Sequence, residues 1–461
     1  MQTISMTFLW TDIMVYLLVT VIVVSVVYIA SREHLLAPWR SVFKRRLGMA
    51  AFMVLLVYVC IGLLDSIHYT RGDNPEIISL FDDIVVDLRT QEEKSYSAPF
   101  ATHLFAKEMI ELADGSTIRD YPRLQYGGAH LKNPQAEKST DILKRSVNAV
   151  INGLLVWLLL MSLMLAILAR RTALRWHEVA GIIWRGEGEY PWKVMAVTLS
   201  VITILIFLFT GLAGHYHVLG TDKIGQDVLY QSLKSIRTGL VIGTLTTLFM
   251  LPIAISLGIM AGYFRGWVDD VIQYLYTTLN SIPGVLLIAA AVLMLQVYMS
   301  NNPDQFGDIS SRADARLLFL CLILGITSWT GLCRLLRGEA MKISQVEYIQ
   351  AATAFGVKHL RIISRHILPN VMHIVLISIV LDFSGLVLAE AVLSYVGVGV
   401  DPSTNSWGNM INGARLEMAR EPMVWWSLVA AFGFMFLLVL AANLFSDAVR
   451  DAFDPRVQRR G

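Results

Sequence analysis

Long apolar runs separated by shorter polar segments dominate this chain. A bilayer core about 30 Å thick needs roughly 20 mostly apolar helical residues to cross it. Nine stretches meet that requirement, near residues 10–30, 47–66, 147–169, 194–214, 236–263, 271–298, 316–337, 370–394 and 424–446. The pattern predicts an all-α polytopic membrane protein with about nine transmembrane helices.

A long polar insert interrupts this pattern at residues 67–146. It contains the acidic run DDIVVD at 82–87, a helix-like run THLFAKEMIELA at 102–113 and the turn signal DGS at 114–116. Its aromatic residues favour a modest packed core over a disordered loop; they are Phe81, Tyr96, Phe100, Phe105, Tyr121 and Tyr126. We therefore expect a small α+β module here, which we call the outer module.

Composition agrees with a membrane protein, since 55% of the residues are hydrophobic and only 16% are charged. The first apolar run lacks a basic region before it and carries Asp12 at its start, so we expect a retained span rather than a signal peptide. The three cysteines, Cys60, Cys321 and Cys333, lie in or at the end of apolar runs, and we expect neither a disulfide nor a metal site.

Lys and Arg residues in the short loops predict the orientation. Twenty-one lie on one face of the nine-span arrangement and seven on the other. Positive charge accumulates on the cytoplasmic side of membranes. We therefore expect an external N-terminus, a cytoplasmic C-terminus and an outer module outside the cell.

Motifs for chemistry are lacking. The sequence has no GxxxxGK[ST] phosphate loop, no HExxH or CxxC pattern and no apparent Ser/His/Asp arrangement, so we expect no enzyme activity. The HYH run at 215–217 has a spacing that could hold a metal, but a pair of histidines at a membrane edge is more often without such a role.

The segment at 339–370 is polar and basic although it lies between two apolar runs. Its pattern predicts a short helix over 344–354, a turn at Gly356, a second basic helix and an elbow at Pro369. Such a segment can transmit a push from a soluble partner. An ordinary amphipathic loop fits these residues equally well.

The first helix of this segment has two surfaces. The spacing of Val346, Ile349 and Phe355 predicts an apolar face, and Ala351 with Ala352 offers a small surface that a partner can approach closely.

The run QAATAFGVKHLRIISRHILP resembles the EAA loop of ATP-binding-cassette importer permeases. Matching positions are Ala351, Ala352, Gly356, Leu368 and Pro369, whereas Gln350 replaces the family glutamate. His366 replaces the family isoleucine, a departure shared by the dipeptide, oligopeptide and nickel branch. By this resemblance, Gln350, Ala351, Ala352, Gly356, Leu368 and Pro369 would couple the chain to an ATPase.

Other motifs of that branch follow in the expected order. VLGTDKIGQDVL at 218–229 is similar to its LGTDxxGRDVL segment, AGYFRGWVDD at 261–270 to its AGYxGGWVD turn, LAEAVLSYVGVGVDPSTNSWGNMI at 388–411 to its LAE…SWG segment and DAVRDAFDPR at 447–456 to its closing DxLRDxLDPR. The resemblance implies a C-subunit-like permease, with Gly220, Thr221, Asp222, Trp407 and Gly408 in its outer loops or gate.

This resemblance implies a six-helix type I permease core at 194–461, preceded by an extension. The extension divides into N-terminal spans at 1–66, the outer module at 67–146, and an extra span with a basic loop at 147–193. In an alternative alignment, the family's first span lies at 41–59 and the outer module with further spans separates it from the LGTD loop.

The family assignment also implies the partners. A second permease subunit, two ATP-binding subunits and an extracytoplasmic substrate-binding protein would assemble in a bacterial cytoplasmic membrane. ATP and Mg²⁺ would bind to the partner subunits, and this chain would hold no cofactor. Peptides are the favoured cargo, while nickel chelates, antimicrobial peptides and glycan fragments stay open.

Two acidic residues within an apolar run are further candidate site residues. Asp382 lies near the middle of its span, where a carboxylate either lines a pathway or pairs inside the bundle. Glu390 lies near the outer end of that span and belongs to the LAE run. A short helix is expected within 406–426, followed by Trp425 and Trp426 as interface anchors.

Two other classes of membrane protein compete with the permease. A secondary transporter would need inverted repeats with ion sites in broken helices, and the halves of the chain show no such repeat. A respiratory or anchor subunit would need paired intramembrane histidines, which the spans lack.

Overall fold

The computed structural model describes residues 4–71, 77–111, 117–172, 175–186, 188–303, 306 and 308–453. Its helices are α1 Trp10–Ala30, α2 Glu33–Lys44, α3 Arg46–Asp65, α4 Leu80–Ile84, α5 Val86–Thr90, α6 Pro134–Thr172, α7 Trp176–Arg185, α8 Trp192–Ala213, α9 Val228–Phe264, α10 Gly266–Ser281, α11 Gly284–Asn301, α12 Ile309–Ser328, α13 Thr330–Ile343, α14 Glu347–Ala354, α15 His359–Ile362, α16 Leu368–Tyr395, α17 Trp407–Glu417 and α18 Trp426–Phe453. A π-helical turn, Ile363–Ile367, joins α15 to α16. The strands are β1 Ile4–Met6, β2 His68–Arg71, β3 Ile78–Ser79, β4 Glu108–Glu111 and β5 Thr117–Asp120.

Nine helical runs within the described residues are long and apolar enough to cross a membrane, which confirms the polytopic helical architecture. They are α1, α3, α6, α8, α9, α11, the run from α12 to α13, the run from α15 to α16, and α18.

The predicted span at 271–298 is wrong in its extent. The structure ends α10 at Ser281 and begins α11 at Gly284, with Ile282 extended between them. Pro283 causes this break, because its ring disfavours the helical conformation of the preceding residue. Helix α10 is a separate amphipathic element, and the span begins at Gly284.

The outer module contains helices and strands, as expected. Strand β2 pairs antiparallel with β3, and β1 completes a three-stranded sheet in the order β1-β2-β3. Strands β4 and β5 form a separate antiparallel pair.

The helix expected over 102–113 is wrong across its described residues, 102–111, none of which is helical. Glu108–Glu111 is a strand that pairs with Thr117–Asp120, and Met109 is 74% exposed. Met109 buries little apolar surface, and cross-strand hydrogen bonds satisfy the backbone there instead. The predicted turn at 114–116 lies outside the described residues.

Two compact units divide the chain, and each is discontinuous in sequence. The first consists of residues 1–5, 40–237 and 405–445, and the second of 6–39, 238–404 and 446–461. In the first, one core cluster joins Leu88 of the outer module to Leu212, Val218 and Leu229. In the second, a large cluster contains Met250, Leu336, Ile349, Ile367 and Val371 among its buried members.

Candidate functional site

The segment at 339–370 lies in the second unit and contains an exposed short helix with a specific C-terminal cap. Helix α14 ends at Ala354, and Gly356 has a positive φ of 73°. The Gly356 N–H donates to Thr353 O at 3.0 Å, and the Val357 N–H donates to Ala352 O at 3.1 Å. This pair of bonds is the Schellman cap, in which glycine adopts the left-handed conformation at little cost. The predicted glycine turn is confirmed.

Packing holds α14 against the core of its unit. Ile349 is 1% exposed and belongs to the same cluster as Ile362 and Ile367. At the other side of the helix, Asn370 Nδ2 donates to the Tyr348 hydroxyl at 3.3 Å. The helix therefore packs on the same hydrophobic core cluster as the start of α16.

The apolar face predicted for this helix is only partly buried. Ile349 is buried, but Val346 is 42% exposed and Phe355 is 87% exposed. Phe355 is exposed because it follows Ala354, the last residue of α14, and the chain turns at Gly356 directly after it. Leu360 is also 78% exposed. Phe355, Leu360, Val346 and the half-exposed Tyr348 thus leave large apolar side chains on a segment otherwise rich in charge.

Three predicted coupling residues are exposed in this part of the segment, two on α14 and one in the turn that follows it. Gln350, Ala351 and Gly356 are exposed, whereas Ala352 is half-buried against the core cluster. The Gln350 side-chain amide donates to Gln345 O at 3.1 Å. Gln350 therefore fulfils a local structural role that needs no carboxylate.

The expected elbow at Pro369 is a π-helical turn. Ile363–Ile367 is π-helical and continues directly into α16, in which Pro369 occupies the first turn. Proline has no N–H to donate to the preceding turn, and a π turn accommodates that missing hydrogen bond without ending the helix. The basic helix and the following span are consequently one continuous rod.

The neighbouring turn between α9 and α10 braces this region. Arg265 Nη2 donates to Met341 O at 3.1 Å and to Ser344 Oγ at 3.0 Å. Arg337 forms a bidentate pair with Asp269 at 2.5 and 2.7 Å. The hydrogen bonds from Arg337 lower the pKa of Asp269. The polar ends of α9, α10 and α13 are therefore tied together.

The two acidic candidates in α16 differ in their surroundings. Glu390 is 2% exposed and accepts a hydrogen bond from Ser394 Oγ at 2.7 Å. Asp382 is half-buried. Buried pairing gives Glu390 a structural environment, and the pathway role of either residue stays a prediction.

The loop at 218–229, in the first unit, is closely packed against the outer module. Gly220 has a positive φ of 73°, and a Cβ placed there would lie 2.4 Å from Ser97 O. Thr221 is fully buried, donates to Ser95 O at 2.8 Å and accepts from the Ser97 N–H at 2.6 Å. Asp222 caps the loop by accepting the N–H groups of Ile224 and Gln226 at 3.0 and 2.9 Å.

A buried charge group continues this contact around His217. Its Nδ1 lies 2.7 Å from Asp227 Oδ2 and its Nε2 lies 3.4 Å from Glu93 Oε1. Burial opposes the imidazolium, but the hydrogen bonds to Asp227 and Glu93 raise the pKa of His217 to about 9. Glu93 also accepts three backbone N–H groups at 125–127, and these bonds with His217 lower its pKa to about 2 against the effect of burial.

His217 is therefore occupied by carboxylates rather than free for a metal. Within the described ranges, no group of three His, Cys, Asp or Glu residues is placed to hold a metal ion. The three cysteines are free thiols, of which Cys321 and Cys333 are buried and Cys60 is exposed.

The predicted interface anchor Trp426 is wrong. Trp426 is 2% exposed, and its Nε1–H donates to Thr221 O at 2.9 Å. Its ring also meets Phe105 of the outer module edge to face at 4.9 Å. The indole is thus a core contact of the first unit, and only Trp425, at 46% exposure, has an anchor-like environment.

The helix predicted within 406–426 is confirmed as α17. Trp407 is buried at its start and donates from Nε1 to Ser232 O at 3.1 Å, while Gly408 is also buried. At its end, Glu417 accepts a hydrogen bond from the Tyr96 hydroxyl of the outer module at 3.1 Å. The structure therefore brings the LGTD loop and α17 together through contacts with the outer module.

Sequence reasoning missed a further buried ion group at the start of α9. Lys234 Nζ lies 2.6 Å from Asp65 Oδ1 and 2.9 Å from Asp82 Oδ1, and it donates to Ser79 Oγ at 3.2 Å. The Tyr230 hydroxyl donates to Asp82 at 2.8 Å. Lys234 precedes the apolar run at 236–263 by two residues, and a lysine so close to a span was a signal that could have indicated a buried partner.

Comparison with known proteins places the C-terminal part in a recognised family. Residues 254–459 match the family described as "Binding-protein-dependent transport system inner membrane component". The chain is 32% identical over 250 residues to the oligopeptide transport system permease protein OppC of Mycobacterium bovis, covering 54% of this chain and 79% of that protein.

Two further relatives show the same extent of similarity. The glutathione transport system permease protein GsiD of Pectobacterium atrosepticum is 32% identical over 52% of this chain and 73% of that protein. The dipeptide transport system permease protein DppC of Bacillus subtilis is 30% identical over 53% of this chain and 70% of that protein.

Proposed function

The chain belongs to the family of binding-protein-dependent transport system inner membrane components, and we propose that it forms one half of the pathway of a peptide importer. It is a multi-pass inner-membrane permease subunit of a binding-protein-dependent importer. Its relatives are named for oligopeptides, glutathione and dipeptides, which supports a peptide as the cargo here. This membership disfavours a secondary transporter or an anchor subunit.

The observation that carries the coupling proposal is the exposed surface of the 339–370 segment on a rigid base. Phe355 and Leu360 leave large apolar surfaces in water, which is unfavourable unless a partner covers them. Ile349 and the continuous run into α16 join that surface to a membrane span. A partner that binds this surface differently in two states would shift the span between two positions.

The proposed partner on this surface is an ATPase subunit. In the complete importer, two such subunits would hydrolyse ATP with Mg²⁺, a second permease would complete the pathway, and a substrate-binding protein would deliver the cargo. The direct coupling contacts would come from Gln350, Ala351 and Gly356, with Ala352, Leu368 and Pro369 supporting them.

The organisation and orientation of the chain are part of the proposal. A permease core at 194–461 would follow the extension at 1–193, with the N-terminus outside and the C-terminus in the cytoplasm. The outer module would then lie outside, and its bonds to the 218–229 loop and to α17 support the proposal that it forms part of the surface that receives the binding protein. Gly220, Thr221, Asp222, Trp407 and Gly408 would support that surface.

Replacement of Gly356 tests the coupling proposal. A Cβ at Gly356 meets no atom within 4 Å, so Gly356→Ala is strained only by its positive φ. That strain costs roughly 1–2 kcal/mol and opens the cap. We expect ATP-dependent peptide uptake in vesicles holding the assembled importer to fall at least about tenfold, with normal amounts of permease in the membrane.

Gly338→Ala is the matched control, because its Cβ also meets no atom within 4 Å and its backbone is helical. Equal uptake by the two variants would contradict the coupling role.

Competition of labelled peptide uptake by unlabelled dipeptides, longer peptides and a nickel chelate identifies the cargo. Uptake of a labelled nickel chelate, with no uptake of labelled peptide, would overturn the peptide assignment.

A further inference from the structure

A cavity of about 530 Å³ lies in the first unit, outside the part of the chain that matches the family. The end of α2, the start of α3, the end of α7 and the start of α8 surround it. Its basic lining residues are Lys44, Arg46, Arg185 and Lys193. Nothing in the transport mechanism uses this cavity.

The charges of the cavity do not balance among the described lining residues. Glu189 is the acidic member, and it pairs with Lys44 at 2.9 Å. Lys193 Nζ lies 5.4 Å from the centre of the Trp184 ring, a cation–π contact that keeps its charge. Neither Arg46 nor Arg185 forms a salt bridge with a carboxylate in the described part of the chain. Two exposed guanidinium groups therefore face a cavity with excess positive charge.

The position of the cavity is that of a membrane surface. Arg46 begins the span α3, and Trp192 begins the span α8. Helix α7, by contrast, is short and amphipathic, with Trp176 and Trp184 exposed by 68% and 74%. A short helix with exposed tryptophans and a basic end lies along a membrane interface. The basic lining is thus at headgroup level.

One wall of the cavity leads into the hydrocarbon region. Val194, Val197 and Thr198 line it from the first turns of α8. Val197 is 54% exposed, and Val201 continues the same exposed face at 51%. A small inorganic anion would use only the basic end, whereas a molecule with a phosphate and an acyl chain would contact both parts.

We propose that this cavity binds an anionic phospholipid, with Arg46 and Arg185 holding its phosphate and Val194 and Val197 contacting its acyl chain. Arginine suits this role because its fork of donors matches phosphate oxygens in a bidentate manner. Basic pockets between transmembrane helices bind anionic headgroups by the same chemistry. The bound lipid would fix the ends of α3, α7 and α8 relative to one another.

Native mass spectrometry of the full-length chain, extracted from nanodiscs with phosphatidylglycerol and phosphatidylcholine, tests this inference. The wild type is expected to retain phosphatidylglycerol in preference to phosphatidylcholine. The double variant Arg46→Gln/Arg185→Gln removes the two guanidinium groups that line the cavity, and about 1 kcal/mol for each charge beside the headgroup predicts binding weaker by about thirtyfold. The control Arg170→Gln/Arg171→Gln removes two exposed basic residues from the end of α6 and is expected to retain the lipid.

Several outcomes would overturn the inference. Equal loss or equal retention of phosphatidylglycerol by the two double variants would show that the cavity has no special role. Equal retention of the two lipids by the wild type would exclude recognition of an anionic headgroup. Displacement of the lipid by inorganic phosphate at low concentration would indicate a free-anion site. If the double variant fails to fold, Arg185→Gln alone, at the exposed end of α7, is expected to weaken retention about fivefold.

Discussion

At the residue scale, His217 and its two carboxylate partners make the stability of the first unit depend on pH. The pKa of His217 is raised from 6.5 to about 9, so the stability that it contributes is complete below pH 6.5 and is lost as the pH rises through about 9. A shift of this size corresponds to about 3 kcal/mol. Glu93, whose pKa is lowered from 4.5 to about 2, contributes fully above pH 4.5 and loses its contribution as the pH falls through about 2.

The variant His217→Gln tests this group. Glutamine can hydrogen-bond to one carboxylate but leaves Glu93 and Asp227 buried without a cation, which costs about 3–5 kcal/mol. We expect faster hydrogen exchange at 93–97 near neutral pH. We also expect the wild type, but not the variant, to exchange faster between pH 6.5 and 9 than the intrinsic effect of pH accounts for. His177→Gln, on the exposed face of α7, should leave both unchanged. An identical pH profile in the wild type and His217→Gln would refute the assignment.

The sequence contained little sign of this group. Glu93 belongs to an EEK run that is typical of a solvated surface, and it lies 124 residues from His217 in the chain. Trp426 was predicted at an interface for a similar reason, since its contact with Thr221 spans 205 residues. Local patterns predict exposure poorly when the buried partner is distant in sequence. Gly356, whose cap is a local structure, was predicted correctly.

At the element scale, α14 combines a buried anchor with an exposed tip. Phe355 is the most exposed large apolar side chain in this segment, at 87%. Burying a phenylalanine in a partner contributes about 1.5–3 kcal/mol, so Phe355→Ala should weaken ATPase docking by about ten- to hundredfold. Binding of the purified ATPase subunit to the permease in nanodiscs measures this change.

Phe432→Ala is the control for that experiment. Phe432 is 58% exposed on the span α18, so its loss removes the same side chain from a position expected to face lipid. Unchanged ATPase affinity in the Phe355 variant would exclude this residue from the docking surface.

The helical elements themselves were largely predictable, but their junctions were not. Apolar run length indicated all nine spans, because the bilayer requirement is strong and local. The break before Gly284 and the π turn before Pro369 both depend on proline, which can end a helix or be absorbed within it. The sequence cannot distinguish these outcomes, because they depend on whether surrounding contacts favour continuation of the helix.

At the scale of the whole molecule, buried contacts within the first unit join residues of the proposed extension at 1–193 to residues of the proposed core at 194–461. Lys234, on α9, bonds to Asp65 at the end of α3 and to Asp82 in α4. Glu417 on α17 bonds to Tyr96 in the outer module. The division into extension and core that motif order suggests is therefore not a physical boundary here, because buried bonds cross it repeatedly.

Removal of the buried charges around Lys234 tests whether the proposed extension and the proposed core unfold together. The single variant Lys234→Met leaves Asp65 and Asp82 buried without their cation, and removing one partner of such a group costs about 3–5 kcal/mol. The triple variant Lys234→Met/Asp65→Asn/Asp82→Asn removes the charges together, so most of that loss should be recovered. Thermal unfolding of the detergent-purified chain, followed by size exclusion, should show one transition. Its midpoint should fall in the single variant and recover in the triple variant.

Lys223→Met, at an exposed position nearby, should leave the midpoint unchanged. If the outer module instead unfolded in a separate early transition in the wild type, the bonds at Lys234 would not join the extension to the core, and its proposed part in the outer surface would lose its support.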